Sequence, residues 1–396
     1  MINKIKPLLS NYKIIALIFL LLAVAASIQS LLSENKIYQE SGLVYNRYNN
    51  YTIFEKAFHH LIDGKDLYAH YPEEHFDLYK YSPSFAAFFG IFAIFPDWIG
   101  LNLWNLFNTF ILLISIYYLP KVSLYQKGLI LIFLLIELIT SIQNAQSNAL
   151  IAGLIILAFG LLEKDKYLLA TFLIIFSVFI KLFGIVGLVL FIYYPKKWRV
   201  VIYSALWSIL FLAMPLIFIG FDHYDFLLSS YWKMLSNDHS ISYGYSVMGM
   251  MNTWFDIEIN KLFIVIIGVL IFLIPLLRFR EYSNYTFRFL TLSSILIWVV
   301  IFNHKAESPT FIIAIAGASL WFVTCKKSRI NIILFVSALV LTSLSPTDIF
   351  PIYLREKVII PYTLKVVPCI LIWLKIIYDM IVMQTDKIEI EFGTIS

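Results

Sequence analysis

The stretch Asn303-His304-Lys305-Ala306-Glu307-Ser308-Pro309 sets a histidine, a lysine and a carboxylate between two apolar runs, where ordinary turn residues would suffice. Ser308-Pro309 reads as a helix start, which leaves His304 and Glu307 without a structural reason to be there. A carboxylate so placed can take a proton from a hydroxyl, and an adjacent imidazole can share or orient it. Glu73, Glu74, His75, Asp77 and Lys80 gather just before Tyr81-Ser82-Pro83, which makes Asp77 and Glu74 further candidate bases. Gln146 and Asn148 follow Gln143-Asn144 at the end of an apolar run. Two charges stand alone in apolar surroundings, Glu137 within Leu131–Thr140 and Lys181 between Ile180 and Leu182. Such charges face a bundle interior, a cavity or a partner, so Glu137 and Lys181 either pair with each other or line a common cavity. Arg355 and Lys357 offer cations for a phosphate, since the planar guanidinium suits it bidentately. They are equally readable as snorkelling surface cations.

What must position these residues is a membrane bundle. Of the 396 residues 60% are hydrophobic and only 14% charged, against about 25% charged in soluble domains. Mean hydropathy is +0.82. Near-continuous apolar runs such as Ile14–Ile28 and Val200–Ile219 approach the ~20 residues a crossing helix needs. A soluble enzyme, a nucleic-acid binder and a β-barrel are excluded. The expected fold is all-α, a polytopic transmembrane helical bundle forming one integral membrane domain over residues 1–396. Candidate spans are 14–33, 100–119, 128–143, 148–163, 167–180, 182–195, 200–220, 262–277, 286–302, 310–325, 330–346 and 359–380, about twelve, the first an uncleaved span. Cys325 and Cys369 do not read as a pair.

Short cationic connections fix the expected orientation. Lys4/Lys6/Lys13, Lys121/Lys127, Lys164/Lys166, Lys196/Lys197/Arg199, Arg278/Arg280/Arg288, Lys326/Lys327/Arg329 and Lys387 alternate correctly if all lie on the cytoplasmic side. Lys164/Lys166 and Lys196/Lys197 then share a side. The run Tyr167–Pro195 must therefore turn near Ile180–Gly184, with Lys181 at an outer turn. Residues 82–95 are apolar but short, and are expected to lie in or dip into the outer interface. Two long outer loops result, 34–100 and 221–261. The first carries an amphipathic helix, Tyr51–Ile62, at the membrane surface.

The motifs in these loops resemble glycosyltransferase family 87, of the GT-C superfamily. Ala57–Ile62 followed by Gly64-Lys65-Asp66-Leu67-Tyr68 is similar to the family's amphipathic helix ending in Gly-x-x-x-Tyr. Tyr81-Ser82-Pro83 resembles its Tyr-x-Pro segment, and Leu103-Trp104-Asn105-Leu106-Phe107-Asn108 the Leu-Trp-x-x-x-Asn that follows. Ala145-Gln146-Ser147-Asn148 stands where the family often has Gly-Gln-x-Asn. Ile180-Lys181 matches its intramembrane Ile-Lys, and Ser246-Val247-Met248-Gly249 is similar to a Ser-Leu-x-Gly element. The resemblance runs over roughly Tyr45–Pro309. It implies a hexosyltransferase, mannosyl in type, taking sugar from a polyprenyl-phosphate donor to a lipid or glycan acceptor. Its site would face the extracytoplasmic side, in a bacterial setting at the plasma membrane. Gln146, Asn148, Lys181, Glu137, Tyr81, Ser246, Arg355 and Lys357 are the expected substrate-binding set.

One departure stands out. The family presents an aspartate before the amphipathic helix as general base, and counting back from Tyr68 lands on Asn50. An amide cannot accept the proton. Glu307, Asp77, His304 and Asn50 are therefore the candidate catalytic set, with Glu307 favoured as base. Asn50-Tyr51-Thr52 also matches a glycosylation sequon. The sequence offers no Asp-x-Asp metal motif and no Gly-rich nucleotide loop, so a metal-independent reaction with no cofactor is expected, along with a bilayer but no nucleic acid as partner. Two other readings stay open: a transporter or flippase for a lipid-linked or polar solute, suggested by buried charge and a broken helix, and a non-catalytic relative.

Overall fold

The computed structural model describes residues 2–37, 42–237, 242–258 and 260–383. Lys387 lies outside them. The described residues are mainly helical, and among them one short antiparallel strand pair joins Lys36–Ile37 with Val44–Tyr45. Four described helices are long and apolar enough to cross a membrane: Tyr12–Leu32, Asp97–Tyr118, Leu124–Gln143 and Lys197–Ile217. Their starts are written locally. Asn11 caps Tyr12–Leu32 through Oδ1, and Ser123 with Gln126 forms a capping box at Leu124, satisfying amide donors that the first turn leaves unpaired.

The centre of the bundle is made by helices apolar all round, as a helix buried on every side must be. Every residue of Asn148–Leu162 except Leu157 is buried, and every residue of Phe311–Thr324 except Phe322. Close approach replaces hydrophobic drive where lipid is as apolar as the core. A Cβ on Gly153 would stand 3.0 Å from the Ile111 backbone, and one on Gly317 2.5 Å from the Ser293 carbonyl oxygen. At the periphery, Lys197–Ala213 buries only Val200 and Phe211. Val201 and Ile209 are about two-thirds exposed there, the surface expected of a lipid-facing helix.

The expected turn inside Tyr167–Pro195 is present. Helix Tyr167–Ile180 stops at Lys181, whose backbone is extended, and a tighter 3₁₀ helix, Leu182–Tyr193, folds back along it. A Cβ at Gly184 would meet the Ser177 backbone at 2.7 Å, so the hairpin closes only because that position is bare. The count of twelve crossings is not carried by helix length. The remaining apolar helices run to 17 residues or fewer. Arg329–Ser337 widens into a π-helical stretch, and the expected span 359–380 holds a helix only from Val367 to Val382.

The first long loop is built rather than loose. Helix Asn49–Ile62 buries Tyr51, Phe54, Phe58 and Leu61, the first three of them against helix Pro83–Ala93, more than a helix lying flat on a surface would. Ser82 caps the second helix through Phe85 N, and Pro83 occupies its first turn, where a missing N–H costs nothing. Phe54 makes edge contacts with Tyr81, Phe85, Phe89 and Trp104. This cluster fixes the loop to the N-terminal half of Asp97–Tyr118.

Candidate functional site

Two cavities lie side by side under the first loop. One, of ≈480 Å³, is lined almost wholly by polar groups: Gln29, Ser30, Ser33, Lys36, Asn46, Arg47, Asn49, Gln143 and Asn144, with the ring of Phe76. The other, of ≈440 Å³, mixes apolar walls (Ile53, Phe54, Leu182, Phe183, Leu235) with Lys80, Tyr81, Gln146, Lys181, His304 and Lys305. Asn50, Asp77 and Glu307 line both. They form the seam where contents of the two cavities would meet.

A chain of hydrogen bonds holds one side of the seam. Gln146 Nε2 donates to Glu307 Oε2 at 3.0 Å, Asn148 Nδ2 to Gln146 Oε1 at 2.6 Å, and Lys181 Nζ to Asn148 Oδ1 at 2.8 Å. Lys181 also stands 5.6 Å from the Tyr81 ring centroid. The backbone explains the spacing. Helix Leu124–Gln143 ends, Ala145 takes a left-handed conformation at φ 49°, and helix Asn148–Leu162 begins. That tight reversal points Gln146 and Asn148 to one side. Left-handed geometry costs an L-residue about 1–2 kcal/mol, which is why glycine would suit position 145. Ala145→Gly should keep or slightly raise the melting temperature in detergent, because relieved strain exceeds or matches the ~0.4–1 kcal/mol of added unfolded-chain entropy. Ala145→Val, β-branched at a buried site, should lower it clearly. A lowered value for the glycine variant would refute this account of the reversal.

The loop carrying Glu307 is braced from three directions. Glu307 N donates to Thr310 Oγ1 at 3.2 Å, tying it to the next helix start. From the second long loop, Tyr245 N donates to Ala306 O at 2.8 Å. From below, Lys365 Nζ reaches Ser308 Oγ at 3.0 Å and Glu137 Oε1 at 2.9 Å. Glu137 and Lys365 are 0% and 2% exposed at the side chain. Glu137 is thus paired with Lys365, not Lys181, and lines neither cavity. Its carboxylate supports the seam from one remove.

Other expected site residues fall in different places. Ser246 is buried as the cap of helix Val247–Phe255, accepting from Gly249 N at 3.2 Å and donating to Tyr243 O at 2.6 Å. Arg355 pairs with Asp348 at 2.7 Å, and Lys357 is exposed; neither lines the two cavities. Glu74 faces His60 at 3.0 Å, away from the seam. Asp77 is ion-paired with Lys80 at 3.0 Å through both oxygens. His75 Nδ1 lies 2.6 Å from the Asp77 carbonyl oxygen, and burial holds this imidazole below the usual histidine range. Asn50 donates through Nδ2 to Asn144 O at 2.9 Å, a bond that an aspartate could not make. His304 lines the mixed cavity, but Glu307 is oriented by Gln146. Burial, then the charge of Lys261, holds His304 below its ordinary pKa. Reading the sequence missed Lys365 as the partner of Glu137, and missed Lys36 and Arg47 altogether. A lone lysine within an apolar run was the available signal for the first.

Tyr81, Gln146, Asn148 and Lys181 fall within the part of the chain that comparison with known families identifies, whereas Asn50, Asp77 and Glu307 flank it. No curated protein matches the chain. A family model described as glycosyltransferase family 87 matches residues 79–302, more than half of the 396. With its all-helical apolar bundle and a polar site at the helix ends, the chain belongs to glycosyltransferase family 87.

Proposed function

We propose that this membrane glycosyltransferase moves a hexose, mannose-like, from a polyprenyl-phosphate sugar to a lipid or glycan acceptor. The reaction takes place on the extracytoplasmic face of a bacterial plasma membrane, in a bundle of about twelve spans. The observation that supports the reading is the seam: a cation-bearing, partly apolar cavity and a polar cavity share Asn50, Asp77 and Glu307. The donor's phosphate and first isoprenoid carbons suit the former, and the acceptor suits the latter. Glu307 removes the proton from the acceptor hydroxyl. The new bond forms between that oxygen and the sugar's anomeric carbon. The bond from this carbon to the phosphate oxygen breaks, and polyprenyl phosphate leaves with the electron pair. Lys181, set by Asn148 and Tyr81, stabilises the departing phosphate with Lys80 and Lys305 nearby. Positioned charge of this kind is typically the largest contribution to such catalysis.

The test is a reconstituted assay with a synthetic polyprenyl-phosphate hexose. Polyprenyl phosphate should be released only when acceptor is present, and a chelator should leave the rate unchanged. Lys181→Gln should lower kcat/KM for the donor about ten- to hundredfold, since a hydrogen bond from a charged group contributes roughly 1.5–3 kcal/mol. Consumption of a nucleotide sugar instead, or normal turnover by Lys181→Gln, would reject the donor assignment.

A further inference from the structure

Charge is divided across the polar cavity. Its two carboxylates, Asp77 and Glu307, sit at the seam shared with the neighbouring cavity, while its two cations, Lys36 and Arg47, line the polar cavity alone. Ligand pockets are mostly apolar with a few placed polar groups, and this one reverses the ratio. Among its lining residues only Phe76 is apolar. Side-chain amides and hydroxyls that both donate and accept suit sugar hydroxyls, not a hydrocarbon chain.

The cations are mounted on a fixed support. Lys36 is paired in register with Tyr45 across the strand pair. Tyr45 is buried and donates to Pro72 O at 2.7 Å, anchoring the strands to the rest of the first loop. Arg47 Nε donates to Glu34 O at 2.9 Å, its single hydrogen bond among the described residues. That bond aims the guanidinium and leaves its paired Nη donors for a ligand. A planar fork of this kind matches phosphate or carboxylate oxygens two at a time.

We infer that the polar cavity is a subsite for an acidic glycan acceptor. Its sugar hydroxyl lies at Asn50, Asp77 and Glu307, and its phosphate or carboxylate group is gripped by Arg47 with Lys36. The inference rests on assigning this cavity to the acceptor. It adds that the acceptor is a hydrophilic oligosaccharide at its reacting end, and that it carries an anion separate from the donor phosphate.

The probes are a hexose oligosaccharide bearing one phosphate, the same oligosaccharide after phosphatase treatment, and an analogue carrying one carboxylate in place of the phosphate. Equilibrium binding to the purified full chain in nanodiscs is measured first, without donor. The phosphorylated probe should bind about ten- to hundredfold more tightly than the neutral one at low salt, with the preference shrinking as salt screens the contact. Arg47→Gln should abolish the preference, and Arg47→Lys should restore part of it. Comparing the phosphate and carboxylate probes tells which anion the site takes. Equal binding of charged and neutral probes by the parent protein overturns the proposal. A preference that survives in Arg47→Gln overturns it too. An Arg47-dependent preference in a protein that never consumes polyprenyl-phosphate hexose supports the subsite while refuting the transfer reaction proposed above.

Discussion

Glu307→Gln should reduce turnover about 10²–10⁴-fold, the usual loss when a general base is removed, while donor binding and folding survive. The substitution keeps the size of the side chain and an oxygen to accept from Gln146 Nε2, which stands 3.0 Å from Glu307 Oε2. The loop should hold its shape, because its bonds to Thr310 and Tyr245 use Glu307's own backbone and that of Ala306. The loss should therefore appear in kcat rather than in KM for donor. Asp77→Asn makes the comparison informative. Asp77 reaches the same seam but is already neutralised by Lys80, so its amide should cost less. Normal turnover by Glu307→Gln together with an inactive Asp77→Asn would transfer the role of base to the first loop. Asn50→Asp should not restore a lost base. It replaces the donor to Asn144 O with a repelling oxygen and adds a third negative charge to the seam.

The largest structural effect should come from a residue that touches no substrate. Lys365→Met leaves Glu137 buried without its cation, and breaking a buried pair from one side typically costs about 3–5 kcal/mol. Glu137→Gln should hurt less, since the amide oxygen can still accept from Lys365. The double variant Glu137→Leu/Lys365→Met should recover much of the loss, because two apolar groups replace two desolvated charges. Thermal unfolding of the four proteins in one detergent measures this. Lys365→Met should also depress turnover, since the bond from Lys365 to Ser308 sets the residue next to Glu307. Unchanged melting of Lys365→Met, or a double variant less stable than Lys365→Met alone, would remove the pair from its structural role.

Much of this arrangement is readable from the chain because the cause is local or electrostatic. Two cation clusters that must share a side force the break at Lys181, and the break is there. Ser308-Pro309 reads as a helix start, and a helical turn begins there. Ala145–Asn148 reads as a polar reversal after an apolar run, and its side chains do converge on Glu307. What stays hidden depends on long-range pairing. Nothing near Glu137 distinguishes Lys181 from Lys365 as its partner, and composition cannot choose between two buried cations. Arg355 looks available until the fold brings Asp348 to it. Lys36 and Arg47 gain meaning only when the strand pair sets both beside Asn50. Helix length does not carry the count of spans, for a different reason. Apolar runs that look long enough contain extended, 3₁₀ or π-helical stretches, and hydropathy is blind to how tightly a helix is wound.

The union of Glu137 with Lys365 spans 228 positions of the chain, and this gives the protein an order of assembly in time. At roughly 5–20 residues per second of synthesis, the carboxylate enters the membrane about 10–50 s before its lysine exists. Until then it lacks the cation it pairs with in the finished fold. The loop bearing Glu307 is likewise unbraced at Ser308 over the last part of this interval, from its own synthesis to that of Lys365. The bracing of that loop is thus completed late in biogenesis, when the segment containing Lys365 docks. A nascent chain stalled before that point carries an intramembrane acid without the cation that offsets its burial in the finished fold.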